Sequence, residues 1–279
     1  MKSTTTRLLI LLIIMIVNHV TYSKPNILVT ITPIASLVSM LTKDKANIVI
    51  LDSSGGCPHH HKAKLSDKAL VDNSEMVIYI DNQFDSLISS MILNYSNKKV
   101  KISNSLIDFT GIDGKINWHF WLDLENVRIL QKVMAEQIIQ TFPEIKDDVE
   151  KNLKESLEII DGINKWKRFN LLDLDNVILL SDSLEHFFKS INNFQIKVSQ
   201  TSNASLKNIK KLDNILNSHS LKCIVLDNSQ STRLYSKYNK LVVKLESENW
   251  EIKEKTNLDG NLFIDQYSKM IKQLTSCRK

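Results

Sequence analysis

Glycine and proline are scarce in this sequence, with 6 and 4 residues among 279, whereas lysine, asparagine and isoleucine are abundant. We attribute this bias to AT-rich coding, so it carries no functional information. Hydrophobic residues make up 43% of the chain and charged residues 24%, which is an ordinary globular composition. The length suits one large domain or two lobes of typical size.

The sequence also lacks an apolar run that could cross a membrane, which needs about 20 residues. The run from Leu8 to Val17 spans only ten residues, follows a charged start and precedes the small residues Thr21 and Ser23. This pattern is typical of a secretory signal peptide, and we predict one over residues 1–23. No cysteine lies near the cleavage site to carry a lipid. We therefore expect a protein that is not membrane-anchored and resides in a periplasm.

A strong charge of one sign is missing as well. The formal net charge is +5, and it falls to +3 when the predicted signal peptide, which holds Lys2 and Arg7 and no acidic residue, is removed. The remaining charges are dispersed along the chain. Nucleic acid is therefore not an expected partner.

Cysteine occurs only three times, as Cys57, Cys223 and Cys277. In an oxidising compartment two of them should pair and one should be left over, and the sequence alone allows three pairings. We favour Cys223–Cys277, because Cys277 follows a predicted C-terminal helix that such a crosslink would tie down.

Apolar strand-like runs alternate with amphipathic helical stretches in two parts of the chain, residues 24–124 and 165–279. Between them, residues 125–164 show helical spacing only, and Pro143 suits the first turn of the second of two helices. This order predicts an α/β fold with two lobes, each a parallel sheet flanked by helices, joined by a long rigid helix. Ligands in such sheets bind beyond the carboxyl ends of the strands.

Histidine is concentrated in one loop, where Cys57 and Pro58 lead into His59, His60 and His61. Imidazole is a good ligand for Zn²⁺, but three adjacent histidines on an irregular loop cannot all face one ion. We therefore expect one ligand among them. The alternative is a solvated polar loop, which we disfavour because Pro58 stiffens the segment and the chain is otherwise poor in histidine.

Two motifs resemble those of the zinc-binding solute-binding proteins of ABC importers, a family with a manganese-binding branch. Residues 58–67, Pro-His-His-His-Lys-Ala-Lys-Leu-Ser-Asp, resemble the family's Pro-His loop, which runs into Arg-Pro-Ser-Asp and a helix. Residues 117–123, Asn-Trp-His-Phe-Trp-Leu-Asp, resemble its Asp-Pro-His-x-Trp-Leu-Asp motif. The resemblance covers essentially the whole mature chain. Cys223 and Cys277 also match a disulfide of the zinc-specific members.

The resemblance implies that His59 and His119 are metal ligands from the first lobe. The family's third histidine corresponds here to Ser181, and its fourth ligand, an aspartate, corresponds to Glu246. Taken alone, His119 among its aromatic neighbours would be interpreted as a core residue, so its role as a ligand depends on the resemblance.

Ser181 leaves the composition of the site open, because a serine hydroxyl is a poor donor to Zn²⁺. Glu246 with water could complete a weaker four-coordinate site. His60, or with less support His61, could substitute for the missing imidazole. The site could also bind little metal. Cys57 is a further candidate as a soft donor, although a small loop residue is the favoured interpretation.

We expect, from these residues and the resemblance, a monomeric periplasmic protein that captures Zn²⁺ between its lobes and delivers it to the membrane permease of an ABC importer. Mn²⁺ is the runner-up, because two histidines plus carboxylate also suit that ion. A degenerate binder is a further alternative, motivated by Ser181. A zinc-dependent hydrolase is disfavoured, because no His-Glu-x-x-His pairing or evident general base is present, and we predict no enzymatic activity.

Overall fold

The computed structural model describes residues 23–51, 64–189, 191, 206–250, 252, 258 and 260–278. An N-terminal lobe forms around four parallel strands in the order β2-β1-β3-β4. Its two inner strands are apolar runs that are almost wholly buried, as expected for a parallel sheet covered on both faces. The strands are β1 Asn26–Val29, β2 Asn47–Ile50, β3 Met76–Tyr79 and β4 Lys98–Lys101, and the helices are α1 Thr32–Thr42, α2 Leu65–Asp72 and α3 Ser86–Met91.

Two helices in series follow, α4 Leu124–Thr141 and α5 Lys146–Leu171. Pro143 is the first residue of the short 3-10 turn between them. The N–H group at the start of a helical turn has no helical acceptor, so proline, which lacks this group, costs no hydrogen bond there. The second helix has 26 residues and is therefore about 39 Å long at 1.5 Å per residue. The linking segment expected from the sequence ends at residue 164, but α5 continues for seven more residues. The helix therefore extends directly into the C-terminal lobe.

The C-terminal lobe contains a second parallel sheet, in the order β5-β6-β7. Residues 231–238, where apolar spacing predicts one helix, form two 3-10 turns instead. The strand predicted over residues 196–199 lies outside the described residues. The elements are β5 Val177–Leu179, β6 Cys223–Asp227 and β7 Leu241–Leu245, with helices α6 Glu185–Phe188, α7 Leu206–Leu216 and α8 Leu262–Thr275.

A disulfide joins Cys223, the first residue of β6, to Cys277, just after α8. The two Cα atoms are 5.5 Å apart, and both residues are buried. The crosslink therefore attaches the C-terminal helix to the second sheet. Cys57 lies outside the described residues.

One hydrophobic core runs through both lobes, because a single cluster of buried side chains includes Val29 and Ile34 of the first lobe together with Val225 and Leu245 of the second. The two sheets are thus packed into one body through the helices between them. None of the helices in the described ranges combines the length and the apolar character that a bilayer span requires. Residues 1–22 of the predicted signal peptide lie outside those ranges.

Candidate metal centre

His119 lies where the two lobes meet, immediately before the 3-10 turn Phe120–Leu122. The ring of Trp121 is fully buried, with its centroid 5.2 Å from that of the His119 imidazole. Trp121 Nε1 also donates a hydrogen bond of 2.9 Å to the carbonyl of Ser247 in the C-terminal lobe. The aromatic residues of the motif therefore anchor the turn, and His119 is held at the lobe junction.

The Asn117 side chain fixes which nitrogen of His119 carries a proton. Its Oδ1 lies 2.9 Å from His119 Nδ1, and its Nδ2 donates to the carbonyl of Asp182 at 2.7 Å and to Glu185 Oε2 at 3.3 Å. Because the amide nitrogen already faces two acceptors, the amide oxygen must be the group that faces His119. Nδ1 therefore donates, and in the neutral ring the lone pair is on Nε2.

Glu248 Oε1 contacts His119 Nε2 directly, and it comes from the segment that follows β7 in the other lobe. The two side chains are only 16% and 12% exposed. An imidazole lone pair and a carboxylate oxygen that face each other need a proton or a cation between them. The two lobes thus bring an imidazole and a carboxylate together at their junction.

Glu246, the acidic residue expected at this position from the resemblance, is engaged elsewhere. Its carboxylate accepts hydrogen bonds from Asn228 Nδ2 at 2.8 Å and from the backbone amide of Asn249 at 2.8 Å. Burial raises the pKa of the Glu246 carboxyl. The structure therefore brings Glu248, and not Glu246, into contact with His119.

Ser181 is 7% exposed and follows β5 at the carboxyl end of the second sheet. Its hydroxyl lies 2.8 Å from that of Ser183, which in turn donates to Asp227 Oδ2 at 3.4 Å. Ser247 donates to the same carboxylate oxygen at 2.6 Å. The hydroxyl of Ser181 thus belongs to a chain of hydrogen bonds that ends on Asp227.

Burial pulls the pKa of the Asp227 carboxyl upward, but hydrogen bonds from Ser229 and Ser247 outweigh it, and the pKa lies below its usual value. Asp227 is therefore a stable anion at neutral pH. Glu246 and Glu248 follow β7, the strand that pairs with β6, so three acidic residues lie at the carboxyl end of this sheet.

The other candidate ligands, His59, His60, His61 and Cys57, lie outside the described residues. The segment that carries them connects β2, whose last residue is Ile50, to α2. Among the residues that the structure describes, no group of three or more His, Cys, Asp or Glu side chains is arranged to hold a metal ion. His119 and Glu248 are the described part of the candidate site.

The contacts that Asn117 and Glu248 make with His119 are not predicted by the sequence. Asn117 stands where the family motif has aspartate, two residues before the histidine. A polar residue at this motif position is the one sequence feature that could indicate a hydrogen-bond partner for His119. Glu248 carries no such signal, since its only distinction in the sequence is an acidic side chain two residues after Glu246.

The family model described as the zinc-uptake complex component A, periplasmic, matches residues 27–277. The chain belongs to this family. Its members are substrate-binding proteins of ABC importers and not enzymes, which agrees with the expectation from the sequence.

Relatives of this family are recognisable along most of the chain. A protein of Rickettsia prowazekii designated RP014 is 41% identical over 259 residues, which is 92% of this chain and 84% of the relative. The manganese ABC transporter substrate-binding lipoprotein scaA of Streptococcus gordonii is 25% identical over 188 residues, 61% of this chain and 60% of that protein. The iron ABC transporter substrate-binding lipoprotein MtsA of Streptococcus pyogenes is 26% identical over 182 residues, 59% of this chain and 58% of that protein. The metal in the name thus differs among relatives.

Solved structures of the family share the fold. The periplasmic zinc-binding protein TroA of Treponema pallidum superposes with a TM-score of 0.76 at 15% identity, covering 92% of this chain and 99% of that one. A crystal structure of ZnuA gives a TM-score of 0.75 at 17% identity, covering 92% and 100%. The α/β fold with two parallel sheets and a long helix, predicted from the sequence, is thereby confirmed.

Proposed function

We propose that this protein captures Zn²⁺ in the cleft between its lobes and delivers it to the membrane permease of an ABC importer. The ion is bound by Nε2 of His119 from the N-terminal lobe and by the carboxylate of Glu248 from the C-terminal lobe. His59 is the further ligand proposed from the histidine loop, and Glu246 is an outer carboxylate that stabilises the cation. The protein acts as a monomer in a periplasm, after removal of residues 1–23.

The contact between His119 and Glu248 carries this proposal. The Asn117 amide directs the Nε2 lone pair of His119 toward Glu248, and a metal ion placed between these two groups would replace a shared proton. Ligands from opposite lobes also explain how binding favours the closed form. An ion that contacts both lobes binds the closed arrangement better than the open one, and so shifts the population toward it.

Zn²⁺ is favoured over Mn²⁺ because imidazole is a borderline-soft ligand and because the Cys223–Cys277 pair resembles that of zinc-specific relatives. A carboxylate from the second lobe in place of a third imidazole favours Mn²⁺ to some degree, and Mn²⁺ is therefore the second candidate. The hydrogen-bonded hydroxyl of Ser181 supports a site of reduced affinity, since that residue does not replace the missing imidazole.

Zinc titration of the mature protein and three variants tests the assignment. We expect Glu248→Gln to weaken Zn²⁺ binding by more than the roughly 10–100-fold that is typical for loss of an outer partner, because a direct ligand is removed. Glu246→Gln, which changes the carboxylate bonded to Asn228, should weaken binding by less. His119→Ala should behave like Glu248→Gln. Affinities are measured by calorimetry with a competing chelator.

Two results would contradict the proposal. One is wild-type protein that takes up neither Zn²⁺ nor Mn²⁺, which would support the degenerate alternative. The other is a larger loss of affinity for Glu246→Gln than for Glu248→Gln, which would return the ligand role to Glu246. Parallel titrations with Mn²⁺ establish the preference between the two ions.

A further inference from the structure

A buried carboxylate of the C-terminal lobe reaches the loop that leads to His119. Glu185, the first residue of α6, is 3% exposed, and its Oε2 accepts hydrogen bonds from Ile112 N at 3.0 Å and from Asn117 Nδ2 at 3.3 Å. Both donors belong to the N-terminal lobe. Burial of a carboxylate is costly unless it is hydrogen-bonded, so these N–H groups compensate a charge that comes from the opposite lobe.

The loop is shaped for this close approach. A Cβ atom at Gly111 would lie 2.5 Å from Glu185 Oε2, so an added methyl group would displace that carboxylate or the loop. The loop is closed on itself by Gly111 N, which donates to the carbonyl of Lys115 at 2.7 Å. Glycine at position 111 therefore allows the carboxylate of Glu185 to sit against the loop backbone.

We infer that Glu185 is a positioning residue for metal capture, which holds the Asn117 amide from the opposite lobe so that His119 Nδ1 keeps its proton and Nε2 faces the ion. This inference rests on the proposed function. Asp182 assists, because its carbonyl accepts the other hydrogen bond from Asn117 Nδ2, at 2.7 Å. Outer partners of this kind set the tautomer and orientation of metal-binding histidines.

Separation of the lobes would break this arrangement. Both acceptors of the Asn117 amide, Asp182 and Glu185, belong to the C-terminal lobe and would move away together. The amide could then rotate, and His119 would lose the fixed acceptor at Nδ1. The open form would therefore bind the ion more weakly, which links release of the cargo to opening of the cleft.

Glu185→Leu and Glu185→Gln form a matched pair for the test. Leucine removes one of the two acceptors of the Asn117 amide and leaves the Asp182 carbonyl, so we expect it to weaken Zn²⁺ binding by roughly 10-fold, the lower end of the loss typical for an outer partner. Glutamine keeps a carbonyl oxygen that can accept from Ile112 N and Asn117 Nδ2, so it should retain most of the affinity. The second measurement is the ring N–H of His119 Nδ1 in ¹H–¹⁵N spectra, which should be protected from solvent exchange in wild type and in Glu185→Gln, and unprotected in Glu185→Leu.

Gly111→Ala provides a second route, because it removes no polar group and displaces the Glu185 carboxylate and the loop relative to each other. It should weaken binding and expose the same ring N–H. Gly162→Ala on α5 is the control, since a Cβ there meets no atom within 4 Å. If circular dichroism shows that Glu185→Leu is unfolded, the Gly111→Ala variant tests the inference in its place.

The inference is overturned if folded Glu185→Leu or Gly111→Ala binds Zn²⁺ with wild-type affinity, or if either keeps the protected ring N–H. Wild-type protein that binds no Zn²⁺ would instead contradict the proposed function. The ring N–H measurement needs no metal, so in that case it still decides whether Glu185 positions His119.

Discussion

At the scale of single residues, Asp85 is a carboxylate that the fold keeps out of water. It lies just beyond β3 and accepts hydrogen bonds from Ile80 N at 2.6 Å and Asp81 N at 3.2 Å, while being 7% exposed. Burial outweighs these hydrogen bonds and raises the pKa of Asp85 from 3.8 to about 6. The charged form is therefore disfavoured by folding, and ionisation of Asp85 lowers the stability of the protein.

The raised pKa predicts how Asp85→Asn changes stability with pH. The contribution of protonated Asp85 to the free energy of unfolding is fully present below 3.8, the pKa of this carboxyl in the unfolded chain. It is lost as pH rises through about 6, the pKa in the folded protein. Asparagine keeps an acceptor oxygen and does not ionise. We expect the variant to match wild type near pH 4 and to exceed its free energy of unfolding by about 1–3 kcal/mol at pH 8, measured by urea denaturation.

Asp81 supplies the control with the opposite sign. Burial pulls its pKa upward, but the amide of Gln83, the hydroxyl of Ser103 and the ammonium of Lys101 together lower it. Asp81→Asn should therefore reduce stability at pH 8 and lose this effect in acid. Equal responses of the two variants at pH 8 would show that ionisation of Asp85 does not carry a cost.

The sequence predicts His119 and Glu246 as ligands, whereas the acidic side chain that contacts His119 in the structure is Glu248. His119 follows from the motif, but the choice between Glu246 and Glu248 depends on the path of the chain after β7. The carboxylate of Glu246 accepts from the amides of Glu248 and Asn249, at 3.3 and 2.8 Å, and so closes a turn on itself. Strand alternation no longer applies beyond Leu245, and the turn directs Glu248 to His119.

At the scale of elements, α5 carries a glycine where the helix does not need one. Gly162 lies mid-helix on the exposed side, and a Cβ added there meets no atom within 4 Å. Alanine loses less backbone entropy on folding, so Gly162→Ala should raise the free energy of unfolding by about 0.5–1 kcal/mol. Urea denaturation measures the change, and a decrease in stability would indicate a contact or bend that requires glycine.

Strands and long helices could be predicted because their patterns are unambiguous. β3 and β5 are continuous apolar runs, β1 is apolar after Asn26, and α5 keeps helical spacing as far as about residue 164. The ends of the short elements are predicted less well, because polar side chains decide them. The helix expected over residues 82–93 begins only at Ser86, since the preceding turn closes on the Asp85 carboxylate.

At the scale of the whole molecule, Lys167 lies where α5, α6 and α8 meet. It is fully buried, and its Nζ donates to the carbonyl of Phe187 and, at 3.0 Å, to the hydroxyl of Tyr267. Tyr267 in turn donates to the carbonyl of Leu122 at 2.8 Å, three residues after His119. Together with the continuous hydrophobic core, this network connects the linking helix to both lobes and limits their relative motion.

Burial lowers the pKa of Lys167 from 10.5 to about 7, despite the nearby carboxylate of Asp123 and with a further contribution from Arg168. A depressed folded-state pKa means that the unfolded chain binds the proton more readily, so this residue adds stability at high pH that is lost as pH falls from about 10.5 to about 7.

Lys167→Met removes the titrating group at similar volume. We expect the free energy of unfolding of wild type, relative to this variant, to rise by up to about 1.4 kcal/mol per pH unit between pH 7 and 10. Urea denaturation at several pH values measures this difference, with Lys165→Met, an exposed position on the same helix, as the control. A difference that stays constant across this range would show that Lys167 remains charged in the folded protein.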